Sequence, residues 1–140
     1  MVEKTLANDS DIAAIILELT GAHMGLHPIV PSFLKELRTI TADYGVVLIF
    51  DEVVTGFRVA KGGAQELYEI TPDLTTMAKI LGGGLPGGAV AGKSEIINMI
   101  EGRDDEHFNT YRRIAHNGTF NANPISATAG ITALQMVKSK

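Results

Sequence analysis

Val46-Val47-Leu48-Ile49-Phe50 runs without a polar residue into Asp51-Glu52. An apolar, β-branched run of this length reads as a strand buried on both faces. Acids at its carboxyl end stand where open α/β sheets hold their ligands. Twenty-eight residues beyond Asp51, Leu74-Thr75-Thr76-Met77-Ala78 leads into Lys79, and Ile80-Leu81 then opens onto Gly82-Gly83-Gly84-Leu85-Pro86-Gly87-Gly88. A lysine between an apolar run and so glycine-rich a turn sits beside backbone that can approach a ligand closely. Asp51 and Lys79 are therefore the first candidates for chemistry.

Working outward towards the N-terminus, Ile12 to Leu19 reads as a second buried strand, and Thr20 to Pro31 as a loop. Phe33, Leu34, Leu37, Ile40 and Tyr44 recur at helical spacing. Ser32 is the expected N-cap, and Gly45 the glycine that ends the helix. Strand, helix, strand makes a βαβ unit with parallel strands, so both carboxyl ends face one edge. Glu18, His23, Asp51 and Glu52 are expected to share a crevice there. Met1 to Asp11 starts on no recognisable element.

Towards the C-terminus, a short helix is expected over Ala64 to Tyr68, a strand into Lys79, and a short strand over Ala89 to Gly92. Ser94 to Ile100 reads as a short helix, and Glu101 to Asn117, with charges of both signs and no period, as an exposed, mobile loop. Asn123 as N-cap and Pro124 at the first helical position open a last helix over Ile125 to Val137. The fold class is α/β, with a mainly parallel sheet and helices on both faces. Beginning just before a core strand and ending on a helix, residues 1–140 read as part of a larger domain.

Composition narrows the function classes. With 45% hydrophobic and 20% charged residues, the chain belongs with soluble globular proteins. A net charge of -4 offers no electrostatic footprint for nucleic acid or an anionic membrane. The absence of cysteine removes disulfides and thiolate metal sites, and a cytoplasmic location is the default. His23 and His27 would share a metal only on a helix, against which Gly25 and Pro28 argue. No metal site is expected.

Gly87-Gly88-Ala89-Val90-Ala91-Gly92-Lys93-Ser94 matches the phosphate-loop pattern. In P-loop enzymes, however, the acidic strand follows that loop, whereas here Asp51-Glu52 precedes it. Asp51 and Lys79 together are more informative than either alone. A buried acid and a lysine at adjacent strand ends, amid glycines, suit a carbonyl cofactor held at its electron-poor ring nitrogen and captured covalently by the amine.

Leu48-Ile49-Phe50-Asp51-Glu52-Val53-Val54-Thr55-Gly56-Phe57-Arg58, followed by Thr71-Pro72-Asp73-Leu74-Thr75-Thr76-Met77-Ala78-Lys79-Ile80-Leu81-Gly82-Gly83-Gly84-Leu85-Pro86, closely resembles the class III aminotransferases. Within them the chain looks most like the glutamate-1-semialdehyde aminomutase branch. Asn117-Gly118-Thr119-Phe120-Asn121-Ala122-Asn123-Pro124 resembles that family's later glycine-threonine motif. The resemblance implies a fold-type-I enzyme using pyridoxal 5'-phosphate, with Lys79 forming the Schiff base and serving as acid-base. It implies that Asp51 pairs with the pyridinium nitrogen, that Val53 packs on one ring face, and that Thr119 reaches the phosphate in the neighbouring subunit of a homodimer. Glu18-Leu19 stands where the family commonly reads Glu-Pro. His23, where relatives often carry asparagine or an acid, is a candidate for the substrate pocket.

The resemblance also implies that the main phosphate-binding turn and a smaller C-terminal domain lie outside residues 1–140. The expected reaction is amino-group transfer between an amino and a carbonyl compound, or the same chemistry within one molecule. The alternatives are a non-catalytic α/β fragment of such an enzyme and a P-loop nucleotide binder whose essential lysine is Lys93.

Overall fold

The computed structural model describes residues 1–20 and 29–139. Four strands form one sheet in the order β1 (Ala14–Leu17), β2 (Val47–Asp51), β3 (Leu74–Met77), β4 (Ala89–Gly92). The first three strands are parallel and β4 returns antiparallel, so the sheet is mixed and mainly parallel. Its register sets Leu17 opposite Phe50 and Asp51 opposite Thr76, with Thr76 also opposite Val90.

Side chains alternate between faces along a strand. Leu48 and Phe50, fully buried, point to one face together with Thr75. Helices α2 (Pro31–Asp43) and α3 (Gly63–Tyr68) cover that face, bringing Leu34, Leu37, Ala64 and Ile70 into one core with Leu19. Each large side chain buried there contributes roughly 1.5–3 kcal/mol. The opposite face carries Ile49, Asp51 and Thr76, with Ile16 and Val90 exposed at its edges.

Helix α2 repeats its buried positions at Leu34, Leu37 and Thr41. The Thr41 hydroxyl donates to the Leu37 carbonyl at 2.9 Å, which satisfies a buried polar group. Gly45 ends the helix at φ 67°, with its N–H on the Ala42 carbonyl and the Val46 N–H on that of Thr41. This is a Schellman arrangement, and the apolar Val46 that completes it immediately precedes β2. Ser32 is not the N-cap. Pro31 takes the first helical position and Val30 caps without a side-chain bond, because a proline with no N–H to satisfy starts the helix two residues earlier.

Two stretches without an obvious period are helical. Val2–Asn8 forms α1, with Leu6 buried and Val2 packed against the core. Within the expected loop, Glu106–Tyr111 forms α5. The Asp105 carboxylate caps it, accepting the Phe108 N–H at 3.0 Å, and the Arg103 guanidinium lies 3.9 Å from the centre of the buried Phe108 ring. In both, one anchoring side chain holds a helix too short to stand alone.

The remaining elements are α4 (Ser94–Ile97), continued by a 3-10 turn over Asn98–Ile100, and α6 (Pro124–Lys138). Asn123 caps α6 by accepting the Ile125 and Ser126 N–H groups, each at 3.1 Å. Among the described residues, no helix is long and apolar enough to cross a membrane.

Candidate active site

The carboxyl edge of β2 and β3 separates the two acids that end the first motif. Backbone alternation sends Asp51 to the more open face and Glu52 into the core. Glu52 is 1% exposed, so it does not line the crevice expected from the sequence. Its Oε2 accepts the Thr55 hydroxyl at 2.8 Å and the Ala64 N–H at 2.6 Å, and its Oε1 the Gln65 N–H at 3.0 Å and the Gln65 side-chain amide at 3.3 Å. A buried carboxylate thus caps the first turn of α3 and ties the segment after Asp51 to the core.

Asp51 is half-buried. Its Oδ1 accepts the Val53 N–H at 3.0 Å and the Thr76 hydroxyl at 3.3 Å. Among the described residues no donor meets Oδ2. Val53 is half-buried in the turn that this first bond closes. Arg58 does not pair with Asp51: its Nε donates to the Val54 carbonyl at 2.9 Å.

The strand expected to run into Lys79 stops at Met77. Lys79 opens a 3-10 turn, Lys79–Gly82, with φ 48°, a left-handed conformation disfavoured for any side chain with a Cβ. Its side chain is exposed and has no ion-pair partner among the described residues. Helix α6 packs on this turn. A Cβ at Gly130 would lie 2.5 Å from the Leu81 carbonyl oxygen, and one at Gly83 would lie 2.6 Å from the Ala129 carbonyl carbon. Only glycines let helix and turn approach so closely.

The phosphate-loop match has no cradle in the fold, because Ala89–Gly92 is an extended strand paired with β3. Lys93 Nζ is held by Asp73 Oδ1 at 2.8 Å. Asp73 also accepts the Arg38 guanidinium at 3.0 Å and the Leu48 N–H at 2.7 Å, both on Oδ2. Burial raises the Asp73 pKa, but the bonds from Lys93, Leu48 and Arg38 outweigh it and leave the carboxyl below its ordinary value of 3.8.

Thr119 is exposed in the turn before α6. That turn borders a cleft of about 660 Å³ lined by the glycine segment, His116, Phe120, Asn121 and the start of α6. His23, the expected substrate-pocket residue, lies outside the described residues, as does His27. Among the described residues, no three potential ligand side chains converge as a metal site. Thr76, Gly130 and the structural roles of Glu52 and Asp73 carry no local pattern that marks them as part of the site. For the last two the available signal was an acid beside a strand of otherwise apolar residues.

A family model for aminotransferase class-III matches residues 2–140. The chain belongs to the class-III aminotransferases. Glutamate-1-semialdehyde 2,1-aminomutase 2 of Brevibacillus brevis is 53% identical over 125 residues, 89% of this chain and 27% of that protein. The glutamate-1-semialdehyde 2,1-aminomutase of Sulfolobus acidocaldarius is 48% identical over 98% of this chain and 30% of its own length. Among solved structures, an omega-transaminase from Sphaerobacter thermophilus superposes with a TM-score of 0.83 at 42% identity. That alignment covers 97% of this chain and 30% of the other. A transaminase with PLP bound superposes at 0.81 with 31% identity, over 95% and 30% of the respective chains. The chain therefore spans less than a third of the length of these relatives.

Proposed function

We propose that this chain supplies the cofactor-binding edge of a pyridoxal-phosphate-dependent enzyme that transfers amino groups, as an aminotransferase or a glutamate-1-semialdehyde 2,1-aminomutase. The observation that carries this reading is Lys79 in a strained left-handed conformation, just past the strand whose Thr76 faces Asp51. Backbone strain of about 1–3 kcal/mol persists where it serves a function. The names of the relatives, aminomutase and transaminase, point the same way.

The residues suit the group. Asp51 presents, at the end of β2, a carboxylate oxygen that meets no donor among the described residues. When bound, pyridoxal 5'-phosphate supplies a carbonyl that an amine can capture and a ring that accepts electrons. Lys79 Nζ would hold the group covalently, and as a free amine it would take up and return the substrate's proton. Asp51 Oδ2 would keep the proton on the ring nitrogen, and Val53 would pack against one face of the ring. Thr119 would donate its hydroxyl to the phosphate held by the other subunit of a homodimer, and His23 would border the substrate. On this reading the chain is the central part of a large domain, in a cytoplasmic protein that acts on small amino and oxo compounds.

Borohydride reduction of the chain with pyridoxal phosphate, followed by peptide mass mapping, tests the proposal. Label confined to Lys79 is expected. Label on no lysine, or scattered over surface lysines including Lys93, overturns it and leaves a non-catalytic fragment.

A further inference from the structure

Asp51 has two carboxylate oxygens, and the fold treats them unequally. Oδ1 is saturated by the Val53 N–H at 3.0 Å and the Thr76 hydroxyl at 3.3 Å, while Oδ2 meets no donor among the described residues. These two bonds come from different elements. The first is local, closing the turn two residues on. The second crosses from β3, because the parallel register sets Thr76 directly opposite Asp51 on the same face. One bond alone leaves the carboxylate plane free to rotate about its Cβ–Cγ bond, whose torsion is broad. A second donor on the same oxygen, from a fixed strand, removes that freedom.

We infer that Thr76 is a positioning residue: its hydroxyl latches Asp51 Oδ1 and so aims Oδ2 at the ring nitrogen of the cofactor. This rests on the proposed role of Asp51. Thr76 touches neither substrate nor cofactor in this account. Its effect reaches the ring only through the orientation of the neighbouring carboxylate. A valine there keeps the β-branched shape that suits a half-buried strand and loses only the donor.

The test compares equilibrium binding of pyridoxal phosphate with binding of its analogue in which the ring nitrogen is replaced by C–H. Both share the aldehyde and the phosphate, so those contributions cancel in the affinity ratio. The unaltered chain should prefer the nitrogen-containing ring. Thr76→Val should lower that preference about fivefold to tenfold, a share of what a hydrogen bond to a charged group is worth. Thr76→Ser should restore it, and affinity for the analogue should be the same in all three. Equal loss for both ligands in Thr76→Val, or no restoration by serine, makes Thr76 a packing residue and overturns the inference. Asp51→Asn separates this failure from that of the parent reading. If it abolishes the preference while Thr76→Val does not, only the role of Thr76 falls. If it leaves the preference intact, or if the unaltered chain binds neither ligand, the role of Asp51 falls and that of Thr76 with it.

Discussion

At residue 79 a lysine occupies backbone space that asparagine or glycine takes at lower cost. With φ 48° its Cβ crowds the following carbonyl, which is worth about 1–2 kcal/mol against the fold. Lys79→Asn keeps a side chain tolerant of that region and discards the amine. We expect its melting temperature to rise by about 3 °C, since one kcal/mol shifts a domain of this size by a few degrees. Covalent capture of pyridoxal phosphate should be lost in the same variant. A scanning calorimeter and the borohydride assay together check this, and a melting temperature that falls would remove the argument from strain. Glu52 and Asp51 make the complementary case, two adjacent acids whose duties differ because the strand turns one to each face.

At the scale of elements, the contact that seats Lys79 is the crossing of α6 with the Lys79–Gly82 turn. Two opposing effects decide what Gly130→Ala does. Alanine is favoured over glycine inside a helix by about 1 kcal/mol. The added Cβ, however, would stand 2.5 Å from the Leu81 carbonyl oxygen, and backbone on both sides must move to admit it. Because the neighbour is a carbonyl and not a flexible side chain, the clash outweighs propensity. We expect a net loss of about 1–2 kcal/mol by urea denaturation, within the usual cost of overpacking, together with slower labelling of Lys79. A neutral or stabilising result would mean that α6 is not pressed against the turn.

Across the whole molecule, Asp73 joins three elements: Arg38 from α2, Leu48 from β2 and Lys93 just beyond β4. Removing its charge leaves the Arg38 and Lys93 cations without their counter-charge, while the amide oxygen of an asparagine can still accept the Leu48 N–H, and Asp73→Asn should cost about 2 kcal/mol. The pH dependence follows from the direction of its shift. The folded pKa lies below the ordinary 3.8, so the fold favours the ionised carboxyl. The stability it contributes is complete above about pH 4 and is lost as pH falls through the lower folded value. Urea midpoints of the unaltered chain and Asp73→Asn should therefore converge between about pH 4 and pH 2. A gap that stays constant over that range would assign the effect of the variant to shape, not charge.

Much of the architecture was legible one residue at a time. The run Val46 to Phe50, the 3.6-residue recurrence in α2, Gly45 after it and Asn123-Pro124 before α6 are local signals, and local signals are read by backbone sterics and burial alone. They determined the parallel β1–β2 pair, the helix between them and the strand end that carries Asp51. The family resemblance, too, lay wholly in the order of residues. What the chain leaves to tertiary structure are quantities set by neighbours distant in sequence. Helix α1 and helix α5 exist because Leu6 and Phe108 find partners. Glu52 is a buried cap, and Lys93 an ion-pair partner of Asp73. Thr76 gained its place on Asp51, and Gly130 its place against the lysine turn, only when two strands and a helix met. Hydrogen bonds and close packing act through space over a few ångströms, whereas sequence records only neighbours along the chain.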